Sequence, residues 1–488
     1  MRILLFTLLH FLSVLHAAES KHPNFVVIFT DDQGWGTTSI NYDPEIPESK
    51  SDFFQTPSLE RLAAMGLRFT DGYASHPNCS PSRASLMTGR SPAALKFTDI
   101  CLRDSGPFYE GNKLIPPQHI DGLPAKEITL PEIIKEHLPH YKAAHFGKWH
   151  LGEDGPDAHG FDIGDGPTGN GSGSRPQNVP DDPKLAFSIT ERGNQWMEEQ
   201  ANNGTPFYLQ ISHYATHLKY QATPATIEKF KNLPPGERHQ SVDYASMLYD
   251  MDASIGRTLD KIEELGIEDN TYIIFTTDNG TFPTVDRSNV NGPVKGSKAS
   301  VWEGGIRVPF LIAGPGIEGD TVSRQPVIGY DIYPTICDIL GITDLPEKVE
   351  GGSFKHLLTS PEGGPVKRPN DFLVFHWPHY QHGKASTPDT TIRQGDFKLH
   401  YFYEDEKCLL FDLSKDLAES NDLSAALPEK TDKLRQTMVD YLTAIDANLP
   451  TINEDYDPTT DPALVKERGK KKASGTTSKK KAKKAATD

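Results

Sequence analysis

Two pairs of oxygen-donor residues follow apolar runs. Asp31-Asp32 comes directly after Phe25-Val26-Val27-Ile28-Phe29-Thr30, and Asp278-Asn279 after Thr271–Thr276 and Thr277. Neighbours on an extended chain point to opposite sides, so each pair converges only where the backbone turns. Gly34 and Gly280 permit such turns. Four oxygen donors with several negative charges, and no Cys or His among them, suit a hard divalent cation, Ca2+ or Mg2+, better than zinc. Either pair taken alone also reads as ordinary turn chemistry. A second group is cationic: Arg83, Lys148, His150, His217 and Lys298. Singly these are surface charges. Gathered beside a cation they would make a pocket for a tetrahedral oxyanion, with histidines able to relay protons near neutral pH. Cys79, in His76-Pro77-Asn78-Cys79-Ser80-Pro81-Ser82-Arg83, is either a thiol activated by Arg83 or an inert buried one. Together these residues describe a metal-assisted hydrolase of an anionic ester.

The elements that must position them read as an α/β alternation. Strands are expected at Phe25–Phe29, Tyr141–Phe146, Phe207–Ile211 and Thr271–Thr276, and helices at Thr56–Met65 and Val242–Leu265. Thr56 suits the cap of the first helix, Pro57 its first turn and Gly66 its stop. The unusual polar residues sit just past the strands, at the sheet edge where α/β proteins bind ligands. Strand order is not legible. After about Glu350 the pattern changes to antiparallel strands at Phe372–Phe375, Thr391–Tyr403 (broken at Gly395-Asp396) and Cys408–Leu413. A helix follows, with Leu434, Met438, Leu442 and Ile445 on one face. The expected organisation is a signal peptide over 1–18, a catalytic domain over 19–350, a smaller α+β subdomain over 351–464 and a disordered Lys-rich tail over 465–488.

Composition bounds the class. The chain has 488 residues and a net charge of −17, with 36% hydrophobic residues. The tail from Val465 holds nine lysines and Arg468 against Glu467 and Asp488, so the body is more acidic than the total suggests. An acidic body of this size does not coat nucleic acid, which needs net positive charge. Its apolar content suffices for one large core or two ordinary ones. Arg2, the apolar run Ile3–Leu15 and Ala17/Ala18 read as a secretory signal too short to span a bilayer. The expected protein is therefore exported, periplasmic or secreted, without a membrane span. Cys79, Cys101, Cys337 and Cys408 exclude a disulfide scaffold and show no CxxC spacing. Free thiols are expected, one disulfide at most. Sequons at Asn78, Asn170, Asn203 and Asn279 read as accidents of composition.

The motif Cys79-Ser80-Pro81-Ser82-Arg83, followed by Ala84-Ser85-Leu86-Met87-Thr88-Gly89-Arg90, resembles the C-x-P-x-R signature of the formylglycine-dependent (type I) sulfatases. Further segments resemble that family in its own order. They are Thr30-Asp31-Asp32-Gln33-Gly34-Trp35-Gly36, Gly147-Lys148-Trp149-His150-Leu151-Gly152, His159-Gly160-Phe161-Asp162, Thr277-Asp278-Asn279-Gly280 and Trp302-Glu303-Gly304-Gly305. The match runs from about Asn24 to Ile445. The resemblance implies an alkaline-phosphatase-like α/β domain, with a central mixed sheet flanked by helices, plus a smaller C-terminal α+β subdomain with an antiparallel sheet. It implies that a formylglycine-generating enzyme oxidises Cys79 to Cα-formylglycine. Asp31, Asp32, Asp278 and Asn279 would then hold Ca2+ (or Mg2+), which also contacts residue 79. Arg83 would fix the formylglycine and His150 would help its hydrate attack sulfur. Lys148, Lys298 and His217 would bind the sulfate oxygens, and His217 would protonate the leaving alcohol. His213 competes with His217 for that role, and Lys295 with Lys298.

Specificity is expected from the loops Lys96–Ile120, Gly164–Pro183 and His376–Asp389, which depart most from these motifs. His376 and His379 are candidate substrate contacts there, with ordinary hairpin packing as the alternative. A sulfated carbohydrate is the expected substrate. The rival readings are a phosphate or phosphonate ester hydrolase on the same fold and a non-catalytic polyanion-binding protein.

Overall fold

The computed structural model describes residues 22–101, 111–174, 181–282, 285, 290–380 and 386–459. The signal segment 1–18 and the tail 465–488 lie outside the described residues, as do parts of all three specificity loops.

Eight strands form the central sheet: β1 (Asn24–Thr30), β2 (Gly66–Phe69), β3 (Lys142–Gly147), β4 (Ile163–Gly164), β5 (Phe207–Ser212), β6 (Thr271–Thr277), β7 (Phe310–Ala313) and β8 (Thr321–Ser323). Their spatial order is β8-β2-β7-β6-β1-β5-β3-β4. Only β7 runs against the others, pairing antiparallel with β6 and β2. β1 is fully buried, which explains why its sequence is continuously apolar instead of alternating. Phe25, Val27 and Phe29 enter one helical layer, beside Leu86, Tyr333 and Ile336. Val26 and Ile28 enter the other, beside Met251, Ile255 and Leu259.

Helices α1 (Pro57–Ala64), α2 (Cys79–Thr88), α3 (Ala186–Asn202) and α4 (Val242–Glu264) belong to these layers. The cap of α1 differs from expectation. Thr56 spends its hydroxyl on the Ser39 amide (2.9 Å), and the Asp252 carboxylate of α4 accepts from Ser58 N (2.8 Å) and Leu59 N (2.9 Å). A tertiary contact thus replaces the local one. Gly66 opens β2 and does not simply stop the helix; a Cβ there would lie 2.1 Å from the Ile312 carbonyl oxygen.

Beyond this sheet, β9 (Leu373–Trp377), β10 (Asp389–Gln394), β11 (Phe397–Phe402) and β12 (Lys407–Asp412) form an antiparallel meander in sequence order. Helix α5 (Pro428–Ala444) lays Leu434, Met438 and Leu442 on Val374, Ile392, Leu399 and Leu410. The two sheets are joined by buried charge. Glu303 accepts from Tyr73 Oη (2.7 Å) and Arg307 Nε (2.7 Å), and pairs with Lys398 Nζ on β11 (2.8 Å). Lys398 and His400 also meet Glu419, at 2.8 and 2.7 Å. Arg393 on β10 reaches Asp71 Oδ1 at 2.6 Å.

Candidate active site

Register brings the two acidic pairs together. β1 and β6 are adjacent and parallel with Thr30 opposite Thr277, so Asp31-Asp32 and Asp278-Asn279 leave the same sheet edge side by side. The neighbouring strands deliver the cations there. Phe29 is opposite Ser212, and Ser212 opposite Gly147, so the His213–His217 segment and Lys148–His150 emerge beside the acids.

The bends that turn side chains inward are visible. Asp32 and His150 both have φ of 59°, in the left-handed region. Gly147 has φ of 99°, and a Cβ on it would lie 2.0 Å from the Ser212 carbonyl oxygen. Gly147 N donates to Asp165 (2.8 Å), Lys148 N to Ser212 O (2.8 Å), and Trp149 N and His150 N to Thr168 (2.9 and 2.7 Å). Asp165 and Thr168 lie in the expected specificity loop. Sequence reasoning did not identify them as the clamp on Lys148 and His150, because single Asp and Thr residues in a Gly-rich loop carry no spacing signal.

Cys79 is the first residue of α2, and Arg83 stands one turn later on the same face. Pro81 falls in the first turn, where its missing N–H leaves no helical bond unmade. Arg83 places Nε (3.0 Å) and a terminal nitrogen (2.7 Å) on Asp278 Oδ2, and donates to the Lys148 carbonyl (2.7 Å). Lys148 Nζ pairs with Asp31 Oδ2, and Lys298 Nζ with Asp32 Oδ1 at 2.5 Å. His217 Nε2 lies 3.9 Å from Asp32 Oδ2, while its Nδ1 hydrogen-bonds the Leu218 carbonyl (2.8 Å).

The competitor Lys295 is placed elsewhere. Lys295 Nζ sits 3.4 Å over the Trp302 ring, and His213 is a buried ring whose backbone amide donates to Phe29 O. His376 is 1% exposed, with Nδ1 on Thr390 (2.6 Å) and Nε2 on the Asn448 carbonyl (2.9 Å). Both of its ring nitrogens are engaged, which corrects the expectation of a substrate contact: burial makes it a packing histidine. His379 is buried and shares a hydrogen bond of 2.8 Å with Thr98 through Nε2. Cys101 donates to the His150 carbonyl at 3.1 Å, and all four cysteines are free thiols.

The donor set fits a hard cation. One oxygen each from Asp31, Asp32 and Asp278 can lie within 4.8 Å of the others. Buried Asp31 Oδ1, Asp32 Oδ2 and Asn279 Oδ1 have no hydrogen-bond partner, and such orphaned oxygens are rare unless something else meets them. Electrostatics agree. Burial raises Asp278 to about 7, with repulsion from Asp31 adding to the effect. Burial works against Asp31 too, but Lys148, His217 and Arg83 outweigh it and hold that carboxyl well below its usual range. Burial also pushes the Cys79 thiol up, so the unmodified residue is a poor nucleophile. His150 is held well below its ordinary value by burial and by Lys148, and is neutral.

A mixed α/β sheet whose edge gathers three carboxylates, Arg83, two lysines and a helix-first Cys79 defines a hydrolase for anionic esters. The chain belongs to the sulfatase family: the model described as Sulfatase matches residues 23–342, and that described as N-sulphoglucosamine sulphohydrolase, C-terminal, matches residues 297–448. It is a type I sulfatase, a sulfuric ester hydrolase. Human arylsulfatase A is 28% identical over 489 aligned positions, covering 86% of this chain and 87% of that one. Human N-acetylgalactosamine-6-sulfatase is 31% identical, over 71% of this chain and 67% of that one. Among solved structures, Ps i-CgsB in complex with k-i-k-neocarrahexaose superposes with a TM-score of 0.70 at 23% identity, over 86% of this chain and 93% of that one. BT4656 in complex with its substrate D-glucosamine-2-N,6-O-disulfate gives 0.65 at 20%, over 87% and 98%.

Proposed function

We propose that this sulfatase is an exported enzyme that removes sulfate from carbohydrate, using a formylglycine made from Cys79 and a Ca2+ ion held by Asp31, Asp32, Asp278 and Asn279. The observation that carries the proposal is the trio of orphaned buried oxygens on Asp31, Asp32 and Asn279, ringed by Arg83, Lys148 and Lys298 beside Cys79. The ion would supply positive charge against the sulfuryl oxygens, and the hydrated aldehyde a hydroxyl nucleophile that a buried thiol cannot match.

The chain's own residues do the rest. Arg83, locked onto Asp278 and the Lys148 carbonyl, orients residue 79 from the next turn of α2. His150 is neutral, and its buried Nδ1 has no partner, so that atom can take the nucleophile's proton. Lys148 and Lys298 donate to sulfate oxygens as charge moves toward the bridging oxygen. His217 carries its hydrogen on Nδ1, because the Leu218 carbonyl only accepts. Its Nε2 therefore holds the lone pair that must be protonated before the leaving alcohol is. Burial and Lys298 lower His217 to about 4, so a bound anionic substrate has to favour that proton.

Support for a carbohydrate substrate comes from the names of the relatives, which include an N-acetylgalactosamine-6-sulfatase and a complex with a glucosamine disulfate. Export rests on the segment 1–18; no helix among the described residues is long and apolar enough to cross a membrane. The test is sulfate release from sulfated hexosamines and from an aryl sulfate, against the matching aryl phosphate. Turnover of the sulfates is expected. A clear preference for phosphate overturns the reading.

A further inference from the structure

Helix α2 begins at residue 79 without the usual cap. Asn78 occupies the cap position in an extended conformation, yet its side chain makes no capping bond, and its buried Oδ1 has no hydrogen-bond partner. His76 takes over the task. Its Nδ1 accepts from Asn78 N (3.2 Å), and its carbonyl accepts from Ser82 Oγ (2.9 Å) in the first turn of the helix. These two bonds close the run 76–82 around residue 79. Pro77 fastens the same run to the segment that carries Lys298. Its carbonyl accepts from the amide of Ala299 (2.8 Å), the residue after Lys298, which stands in the left-handed region at φ 62°.

The His76 ring is itself fixed by the C-terminal sheet. It is buried, stacks on the Trp377 ring at 5.4 Å, and places Nε2 3.2 Å from the His376 carbonyl, both residues of β9. A carbonyl only accepts and a backbone amide only donates, so Nε2 carries the hydrogen and Nδ1 the lone pair. Only the neutral ring makes both bonds. Burial, with His379 beside it, agrees by holding His76 well below its ordinary value. We infer that His76 is a positioning residue of the reaction: it orients residue 79 against Lys298, and through it β9 sets the aim of the nucleophile. The inference rests on the reading of residue 79 as the nucleophile of a sulfatase. The signature that carries that reading begins at Cys79 and does not include His76.

The test compares His76→Phe and His76→Asn with wild type in the full-length, Ca2+-loaded protein. Mass spectrometry of residue 79 gives the aldehyde fraction of each preparation, so that kcat is expressed per formylglycine. Phe keeps a ring against Trp377 but offers no acceptor to Asn78 N, whereas the Asn side-chain oxygen can take that bond. In H76F kcat on an aryl sulfate should fall about tenfold or more, with KM changed by less than about threefold, because the nucleophile loses its aim and the sulfate contacts remain. H76N should stay within about threefold of the wild-type kcat. An H76F kcat equal to wild type overturns the inference. So does a loss confined to KM, and so does an equal loss of kcat in both variants with a lowered unfolding midpoint, which would make the imidazole a support of the subdomain junction. Should H76F unfold, H76N decides: retained kcat supports the assignment and lost kcat overturns it. Wild-type protein that carries the aldehyde and releases no sulfate overturns both this inference and the sulfatase reading, whereas wild-type turnover with an unaffected H76F overturns the inference alone.

Discussion

The Lys398 ammonium lies 2.8 Å from the Glu303 carboxylate, and neither side chain has any exposed surface. The pair ties the C-terminal sheet to the short helix that Glu303 begins. Glu303 opens a short helix, Glu303–Ile306, tied to the segments on either side of Lys298: Gly304 N donates to Lys295 O (2.6 Å) and Gly280 N to Gly305 O (3.0 Å). The C-terminal sheet therefore braces the segment that carries Lys298. Lys398→Met would leave Glu303 and Glu419 buried and short of a partner. A loss of about 3–5 kcal/mol is expected, read as a lower unfolding midpoint, with activity falling in parallel.

The same network sets an acid limit. Burial alone would raise Glu303, but Lys398, Arg307 and Arg393 outweigh it and hold the carboxyl at about 2, below its usual 4.5. Asp71 is likewise held below its ordinary value, burial being overcome by Arg307 and Arg393. For carboxyls depressed on folding, the stabilisation is complete above the unfolded pKa and disappears as pH falls through the folded one. Stability should therefore drop between about pH 4.5 and 2. Glu303→Gln should flatten that dependence in acid titrations followed by circular dichroism.

Metal removal should act on stability as well as on turnover. A ligand present at about 100 times its Kd adds about 2.7 kcal/mol to the native state. Chelation should lower the unfolding midpoint of the wild type, and Ca2+ should restore it. In Asp31→Asn the Ca2+-dependent part of that shift should shrink or vanish. An equal calcium response in wild type and D31N would exclude Asp31 from the site.

If His217 protonates the leaving group, the effect of His217→Ala must depend on the alcohol. Loss of a general acid typically costs about 10²–10⁴-fold. That penalty is expected on sugar sulfates and should be much smaller on an aryl sulfate whose phenol leaves unaided. Equal losses on both would reduce the residue to a binding role.

Gly147→Ala tests the local geometry. The new methyl group would overlap the Ser212 carbonyl at 2.0 Å, in a backbone conformation that L-residues rarely adopt. Lys148 and His150 must shift, and a displacement of about 1 Å predicts roughly a hundredfold loss of kcat/KM.

Much of this site was legible because it is local. The acids, Lys148 and the histidines fall within a few residues of strand ends, and the strands announce themselves as buried apolar runs. What was hidden is what comes from elsewhere in the fold. Strands β2, β7 and β8 are short, and three to four residues carry too little pattern to detect. Asp252 caps a helix 193 residues away, which no capping rule can see. Glu303 is legible within its motif, but its partner Lys398 on β11 is not, because pairing across subdomains leaves no spacing in the chain. His376 misled for the converse reason: a histidine among aromatics reads as a ring-stacking site until Thr390 and Asn448 claim both nitrogens.

The most direct test of the mechanism is mass spectrometry of the tryptic peptide Phe69–Arg83, taken from a preparation that releases sulfate. The mass of the aldehyde at residue 79 is the predicted result. An intact Cys79 thiol in protein that turns over sulfate esters would contradict it.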